Sequence, residues 1–184
     1  MKIFFDTEFT GLRKDTTLIS IGLVTEDGDK FYGELTDYDE SMCDEWIRLN
    51  VLGNLFLHHE PEPAENETFV IGKKNDVAAE LILWLSKYKK IELVSDVSHY
   101  DMVLLIDLLA YGGTAFDMPT NIPAVCHDIN QDIARHYNVS DEEAFDMSRE
   151  EIATKLCGKE IDGRKHNALY DAEVIRAIYK ELHP

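Results

Sequence analysis

Three runs of strand-forming residues fill the first 35 positions with only short breaks: Lys2 to Asp6, Thr17 to Val24 and Lys30 to Leu35. The glycine-containing segment EDGDK joins the last two, so a three-stranded antiparallel meander is the local solution. The pattern then changes. Asp39 to Leu52 carries Met42, Trp46, Ile47, Leu49 and Val51 at mainly helical spacing, which predicts one helix, and HHEPEPAENE after it reads as a solvated loop.

From Asn75 to Tyr88, the residues Val77, Ala78, Leu81, Ile82, Leu85 and Tyr88 form one helical stripe, with Asn75 or Asp76 as the N-cap. IELVSDV at 91–97 reads as a buried strand, and YDMVLLIDLLAYGG reads as a helix stopped by Gly112 and Gly113. A strand, a helix and a further strand are expected around IPAVCHDINQDIARHY. Ser148 and Glu151 have capping-box spacing at the start of a short helix that Gly158 ends. The last helix spans about Asn167 to Leu182, with Leu169, Ala172, Val174, Ile175, Ile178 and Leu182 on its apolar face. A meander followed by alternating helices and strands predicts an α/β layered domain, a mixed central sheet flanked by helices. With 184 residues and no repeat or Pro/Gly/Ser-rich linker, residues 1–184 read as a single domain.

Thirty-six Asp and Glu against 18 Lys and Arg leave a net charge of −18, which argues against broad, non-specific binding along a nucleic-acid backbone. It leaves open an enzyme that grips only a strand end, because bound divalent ions reverse the field locally. No apolar run approaches the ~20 residues of a membrane span, and acid follows too soon after Met1 for a signal peptide; a cytoplasmic protein is expected. Cys43, Cys126 and Cys157 lack CxxC spacing and read as reduced structural thiols.

Three places hold residues suited to chemistry. On a strand, positions two apart share a face, so Asp6 and Glu8 present two carboxylates to one volume while Thr7 points away. The pair is either a solvated strand end or an oxygen-rich seat for Mg²⁺ or Mn²⁺. Asp101 opens a helix behind a buried strand, where it is either a first-turn acid favoured by the helix dipole or a further ligand. Asp96 is its rival, and Asp107 reads as a surface or polar-contact residue. His166 precedes Asp171 by five residues in HNALYDA, so within one ideal helix the two would lie about 140° apart. His166 therefore fits better on the loop leading into the helix. His58 and His59 read as solvated, Cys126 to Asp128 lacks the partners of a zinc site, and Trp46 and Trp84 read as core residues.

Together, DTEFTGL, SHYDMVLLIDLL and HNALYDA resemble the three exonuclease motifs of the DEDD superfamily, in its histidine-containing DEDDh branch. The resemblance runs from residue 3 to about residue 180 and is closest to small stand-alone RNase T-like exoribonucleases, in which SIGLV and DEWIRLNVL also have counterparts. It implies an RNase H-like fold with a mixed sheet of about five strands. It also implies metal-dependent 3′–5′ removal of nucleotides from single-stranded RNA ends. Asp6, Glu8, Asp101 and Asp171 match the four acids that hold two Mg²⁺ or Mn²⁺ ions, and His166 matches the general base. The turn after the acids then becomes the expected seat of the strand end. Backbone N–H groups from Thr10 through Gly11 to Leu12 would hold the terminal ribose, Leu12 or Phe9 would wedge the last base, and Tyr100 would stack. Phe9 and Tyr100 are equally suited to packing, and Gly11 to permitting a tight turn. Relatives commonly form homodimers, and many have Asn where this chain has Val97. Two alternatives are a 3′–5′ exodeoxyribonuclease on single-stranded DNA and a binding module that keeps the fold without catalysis.

Overall fold

The computed structural model describes residues 1–56 and 63–184. His58, His59 and the first part of the acidic loop after residue 56 lie outside the described residues. Among the described residues six strands form one mixed sheet: β1 (Lys2–Phe9), β2 (Leu18–Thr25), β3 (Lys30–Leu35), β4 (Glu67–Gly72), β5 (Glu92–Ser95) and β6 (Cys126–Asp128), in the spatial order β4-β3-β2-β1-β5-β6. The meander is present, with β1–β2 and β2–β3 antiparallel, while β4, β5 and β6 add parallel to their neighbours.

The sixth strand is β4, at the edge beside β3. Its segment ETFVIG is only half-buried, so its apolar signal is weak beside the acidic stretch that precedes it. Seven α-helices accompany the sheet among the described residues: α1 (Glu45–Asn50), α2 (Lys74–Leu85), α3 (His99–Leu109), α4 (Ile129–Tyr137), α5 (Asp141–Phe145), α6 (Arg149–Cys157) and α7 (Ala168–Leu182).

Strand alternation assigns each face of the sheet to one helical layer. Ile3, Phe5, Ile21, Leu23 and Phe31 lie on one face and pack with Val77, Leu81 and Trp84 of α2 and Leu104, Leu105 and Leu108 of α3. Phe4 and Val24 lie on the other face and join Ile129 and Ile133 of α4 with Val174, Ile175 and Ile178 of α7. At Gly22, an added Cβ would come within 2.3 Å of the Ala168 carbonyl carbon and the Leu169 nitrogen. The first turn of α7 thus rests directly on the backbone of β2. Gly22 pairs with Asp6 across the sheet, so this close approach brings α7 to the acidic end of β1.

Several sequence expectations are corrected. Residues 39–52 do not form one helix: Asp39 caps a 3-10 turn at Glu40–Met42, Asp44 then caps α1, and a second 3-10 turn follows at Leu52–Asn54. Each Asp side chain accepts a backbone N–H and restarts the helix. Helix α2 begins earlier, with Lys73 as its N-cap and Asp76 accepting the Lys73 N–H at 3.2 Å from the third helical position. A helix, α5, follows α4 where another strand was expected, and its Ser140 and Glu143 form a full capping box. At Ser148 only half of that box is present: its hydroxyl accepts the Glu151 N–H at 3.2 Å and donates to Glu150 at 2.7 Å. Gly158 does end α6, in the left-handed conformation.

Candidate active site

Strand β1 is longer than β5 and outruns it: the β1–β5 pairing covers Lys2 to Phe4, whereas β1 continues to Phe9. The backbone on that side of Asp6, Thr7 and Glu8 has no strand neighbour, which leaves room for side chains from both helical layers. Asp6 and Glu8 share the α7 face. Thr7 points to the opposite face, where its hydroxyl donates to Asp101 Oδ1 at 2.5 Å. Asp101, in the first turn of α3, also accepts the Ser95 hydroxyl at 2.9 Å. Thr7 is therefore a positioning residue for an acid delivered from the other side of the sheet.

From the second layer comes Asp171, in the first turn of α7. Asn167 caps this helix, accepting the N–H groups of Leu169 and Tyr170 at 3.2 and 3.3 Å. Its amide donates to Tyr32 and to the Asn54 carbonyl. The loop before α7 is thereby fixed. His166 lies on that loop, as the five-residue spacing required, and adopts φ +60°. Its N–H donates to Asp171 Oδ2 at 2.9 Å, so histidine and acid are set by one hydrogen bond. Glu8, His166 and Asp171 each offer a ligand atom within 4.8 Å of the other two.

Burial and mutual repulsion dominate the electrostatics. Desolvation, then Asp101, Asp171 and Glu8, push the Asp6 carboxyl far above its usual range. Glu8 is raised by burial and then by Asp171 and Asp101. Asp101 and Asp171 are raised chiefly by burial, against which the hydrogen bonds from Thr7, Ser95 and the His166 backbone act. His166 is pushed the other way, below the ordinary imidazole value, by burial and by Lys165. Among the described residues no Lys or Arg forms an ion pair with any of the four acids. Lys165 lies at the cleft and lowers the Asp171 pKa without forming an ion pair with it, so the four carboxylates remain an oxygen-rich set of the kind that hard divalent ions take.

The cleft above Asp6, Glu8, His166 and Asp171 has a volume of about 390 Å³. Its far wall contains Arg149, which the sequence reading missed. The guanidinium grips Asp96 at 2.6 and 3.0 Å and Asn130 at 2.7 Å. Asp96 lines the same cleft but is ion-paired with Arg149, while its charge still raises Asp6, Asp101 and Asp171. Nothing marks an Arg at the first position of a short helix as a cleft residue until the fold brings it opposite residue 96. Asp107 pairs with Lys74, as a polar-contact residue would. A larger cavity of about 560 Å³ lies beside Phe56, Phe69 and Asn167, but its Lys30 is already paired with Glu67 and Glu173.

The residues expected to seat a strand end are dispersed in role. Thr10 is fully buried, its N–H bonded to the Thr17 carbonyl at 3.0 Å and its hydroxyl accepting the Thr17 N–H at 2.9 Å. Its N–H is therefore unavailable to a ribose. Gly11 turns the chain at φ +138° and leaves Leu12 78% exposed. Phe9 and Tyr100 stack on one another, ring centres 5.1 Å apart. Trp84 is a core residue, but Trp46 is not: it is 53% exposed and meets the His166 ring edge-on at 4.9 Å.

A family model for the Rv2179c-like 3′–5′ exoribonuclease domain matches residues 1–183. The chain is 31% identical over 131 residues to the 3′–5′ exoribonuclease Rv2179c of Mycobacterium tuberculosis, a match covering 71% of this chain and 73% of that protein. Among solved structures, a 3′-exonuclease that recognises the histone mRNA stem-loop superposes with a TM-score of 0.61 at 18% identity, covering 98% of this chain and 63% of that one. S. pombe Pop2p in its Mg²⁺- and Mn²⁺-bound form superposes at 0.60 with 19% identity, covering 98% and 82%. At such identities the structural likeness speaks for the fold, an RNase H-like mixed sheet, and the family match speaks for membership. The chain belongs to the Rv2179c-like 3′–5′ exoribonuclease domain family.

Proposed function

We propose that this protein is a 3′–5′ exoribonuclease that hydrolyses the terminal phosphodiester of single-stranded RNA with two Mg²⁺ or Mn²⁺ ions. The observation that supports the reading is that Asp6 and Glu8 of β1 and Asp171 of α7 line one cleft, with Asp101 of α3 near enough to raise Asp6 and Glu8 and with no Lys or Arg ion-paired to any of the four among the described residues. The relatives' own activity points the same way: Rv2179c is named a 3′–5′ exoribonuclease. The reading treats residues 1–184 as one exonuclease domain.

Asp6, Glu8, Asp101 and Asp171 would hold the ions. When bound, these supply the positive charge that activates a water and stabilises the leaving 3′ oxygen. His166 takes the proton from the attacking water. Its depressed pKa leaves the imidazole neutral and able to accept at physiological pH, and its bond to Asp171 keeps it at the edge of the acid cluster. Exposed Leu12 would meet the terminal base, while Phe9 and Tyr100, stacked on one another, would serve as packing for the turn. A site that grips one or two nucleotides needs few phosphate contacts, which suits a chain of net charge −18.

End-labelled RNA and DNA oligomers incubated with Mg²⁺ or Mn²⁺ test the proposal. Stepwise shortening of RNA from the 3′ end, lost in Asp6→Ala, is the expected result; preferential shortening of DNA would reassign the substrate, and binding without cleavage under either metal would leave a module. His166→Ala is expected to retain metal binding while losing turnover by at least ~10²-fold. Unchanged turnover would remove His166 from the proton transfer.

A further inference from the structure

The opposite end of α7 gathers a second set of metal-ligating side chains. His127 on β6, Asp132 on α4 and His183 at the C-cap of α7 place three ligand atoms within 4.8 Å of one another. Twelve residues of helix, ~18 Å, separate His183 from Asp171, so this cluster is distinct from the catalytic cleft. The Asp132 carboxylate is 7% exposed, and its Oδ2 is approached by both imidazoles at Nε2, with His183 at 3.0 Å. Its other oxygen is held by Arg135 at 3.0 Å. The ring of Tyr179 stacks on His183 at 4.2 Å and meets His127 edge-on at 5.6 Å. Both imidazoles are thus oriented by aromatic contact, and the carboxylate by an outer partner, the arrangement by which a protein fixes ligands before an ion arrives.

We propose that His127, Asp132 and His183 form a second metal site, selective for a borderline first-row divalent ion of the Zn²⁺ type and distinct from the hard-ion cleft. Two nitrogens and one oxygen suit Zn²⁺, with solvent at the exposed fourth position; Mg²⁺ prefers an all-oxygen set. The ligands come from β6, α4 and α7, so a bound ion clamps the C-terminal end of α7 to the sheet edge. Binding to the folded state alone then raises stability by mass action.

The test uses tag-free protein stripped with EDTA and dialysed against micromolar Zn²⁺ with millimolar Mg²⁺ present to saturate the cleft. The wild type and Asp171→Asn are each expected to retain about one equivalent of zinc by elemental mass spectrometry. His183→Ala and His127→Gln, both at exposed positions, are expected to retain none while matching the wild-type circular dichroism spectrum. Zinc should also raise the melting temperature of the wild type by a few degrees, and of neither variant. Failure of the wild type to retain zinc would overturn the proposal. So would equal retention by the two variants, or retention that disappears in Asp171→Asn alone.

Discussion

The two ends of α7 treat carboxylates in opposite ways. At the N-terminus, Asp171 joins Asp6, Glu8 and Asp101, and burial raises all four above their ordinary range. At the C-terminus, burial likewise pulls Asp132 upward, but hydrogen bonds from His127 and His183 outweigh it and leave that carboxyl below its usual value. The Asp132 carboxylate faces two imidazoles and Arg135, whereas the four acids face chiefly one another. The difference supports the proposed site: a fold gains nothing from four acids without an ion pair unless something else supplies the charge.

The largest expected effect breaks the comparison at its uncompensated end. Asp171→Asn keeps an acceptor for the His166 N–H but removes a charge, so RNA turnover should fall by at least ~10³-fold, about 4 kcal/mol of barrier. The same substitution should raise the melting temperature in EDTA, because it relieves repulsion. Asp132→Asn should do the reverse, leaving turnover within ~2-fold while lowering stability by about 1 kcal/mol as two imidazoles lose a carboxylate hydrogen-bond partner. Paired assays of turnover and melting read all four numbers, and loss of turnover in both variants would erase the distinction between the ends.

Gly22→Val attacks the geometry that brings the acids together. The added Cβ would meet the α7 backbone at 2.3 Å, a contact that no rotamer relieves, so a loss of about 3 kcal/mol or more is expected in urea denaturation. Because α7 must lift where it carries Asp171, residual folded protein should also bind Mn²⁺ more weakly. Stability within ~1 kcal/mol of the wild type would mean that α7 approaches β2 less closely than described.

A pH series sharpens the contrast further. Raised folded-state carboxyl values mean that the native protein holds protons that the unfolded chain releases near pH 4. Metal-free stability should therefore fall as pH rises, from about pH 4 through about 6 for Asp101 and about 7 for Asp171. Added Mg²⁺ should stabilise most at pH 8 and least at pH 5, where protons occupy the acids. Asp132 has the opposite sign: its contribution is present above its unfolded value and is lost only as pH falls below it. Melting curves in EDTA that rise steadily from pH 5 to pH 8 would contradict the unpaired state of the four acids.

What was legible in the chain divides along the same line. Alternation on a strand was enough to pair Asp6 with Glu8, and helical rotation was enough to move His166 off the helix, because both are local geometry. Asp101 and Asp171 needed the motif resemblance, since no local rule says which acids will meet. Arg149, Thr7 and the His127–Asp132–His183 cluster were not legible. Their partners lie across the fold: Arg149 is 53 positions from Asp96, and Thr7 is 94 from Asp101. Trp46 was misplaced because a lone aromatic in a helical stripe reads as core; restarting the helix at Asp44 turns it outward, against His166. The edge strand β4 was lost beside the acidic loop.

The smallest expected effect concerns how Asp101 is delivered. Val97, in the turn between β5 and α3, adopts φ +50°, with its N–H on Asp128 at 3.0 Å and its carbonyl accepting the His99 N–H at 2.7 Å. A β-branched residue in the left-handed region is strained, whereas Asn occupies that region readily. The two backbone bonds hold Val97 in place against its own preference, so the turn forms without an Asn side chain. Val97→Asn should therefore stabilise the protein by about 1 kcal/mol in urea denaturation, with the metal affinity of the acid cluster unchanged. A lowered midpoint would show that the valine methyl groups contribute more packing than the turn loses in strain. The delivery of Asp101 by α3 would then depend on apolar contacts of Val97 as well as on the hydroxyls of Thr7 and Ser95 that hold its carboxylate.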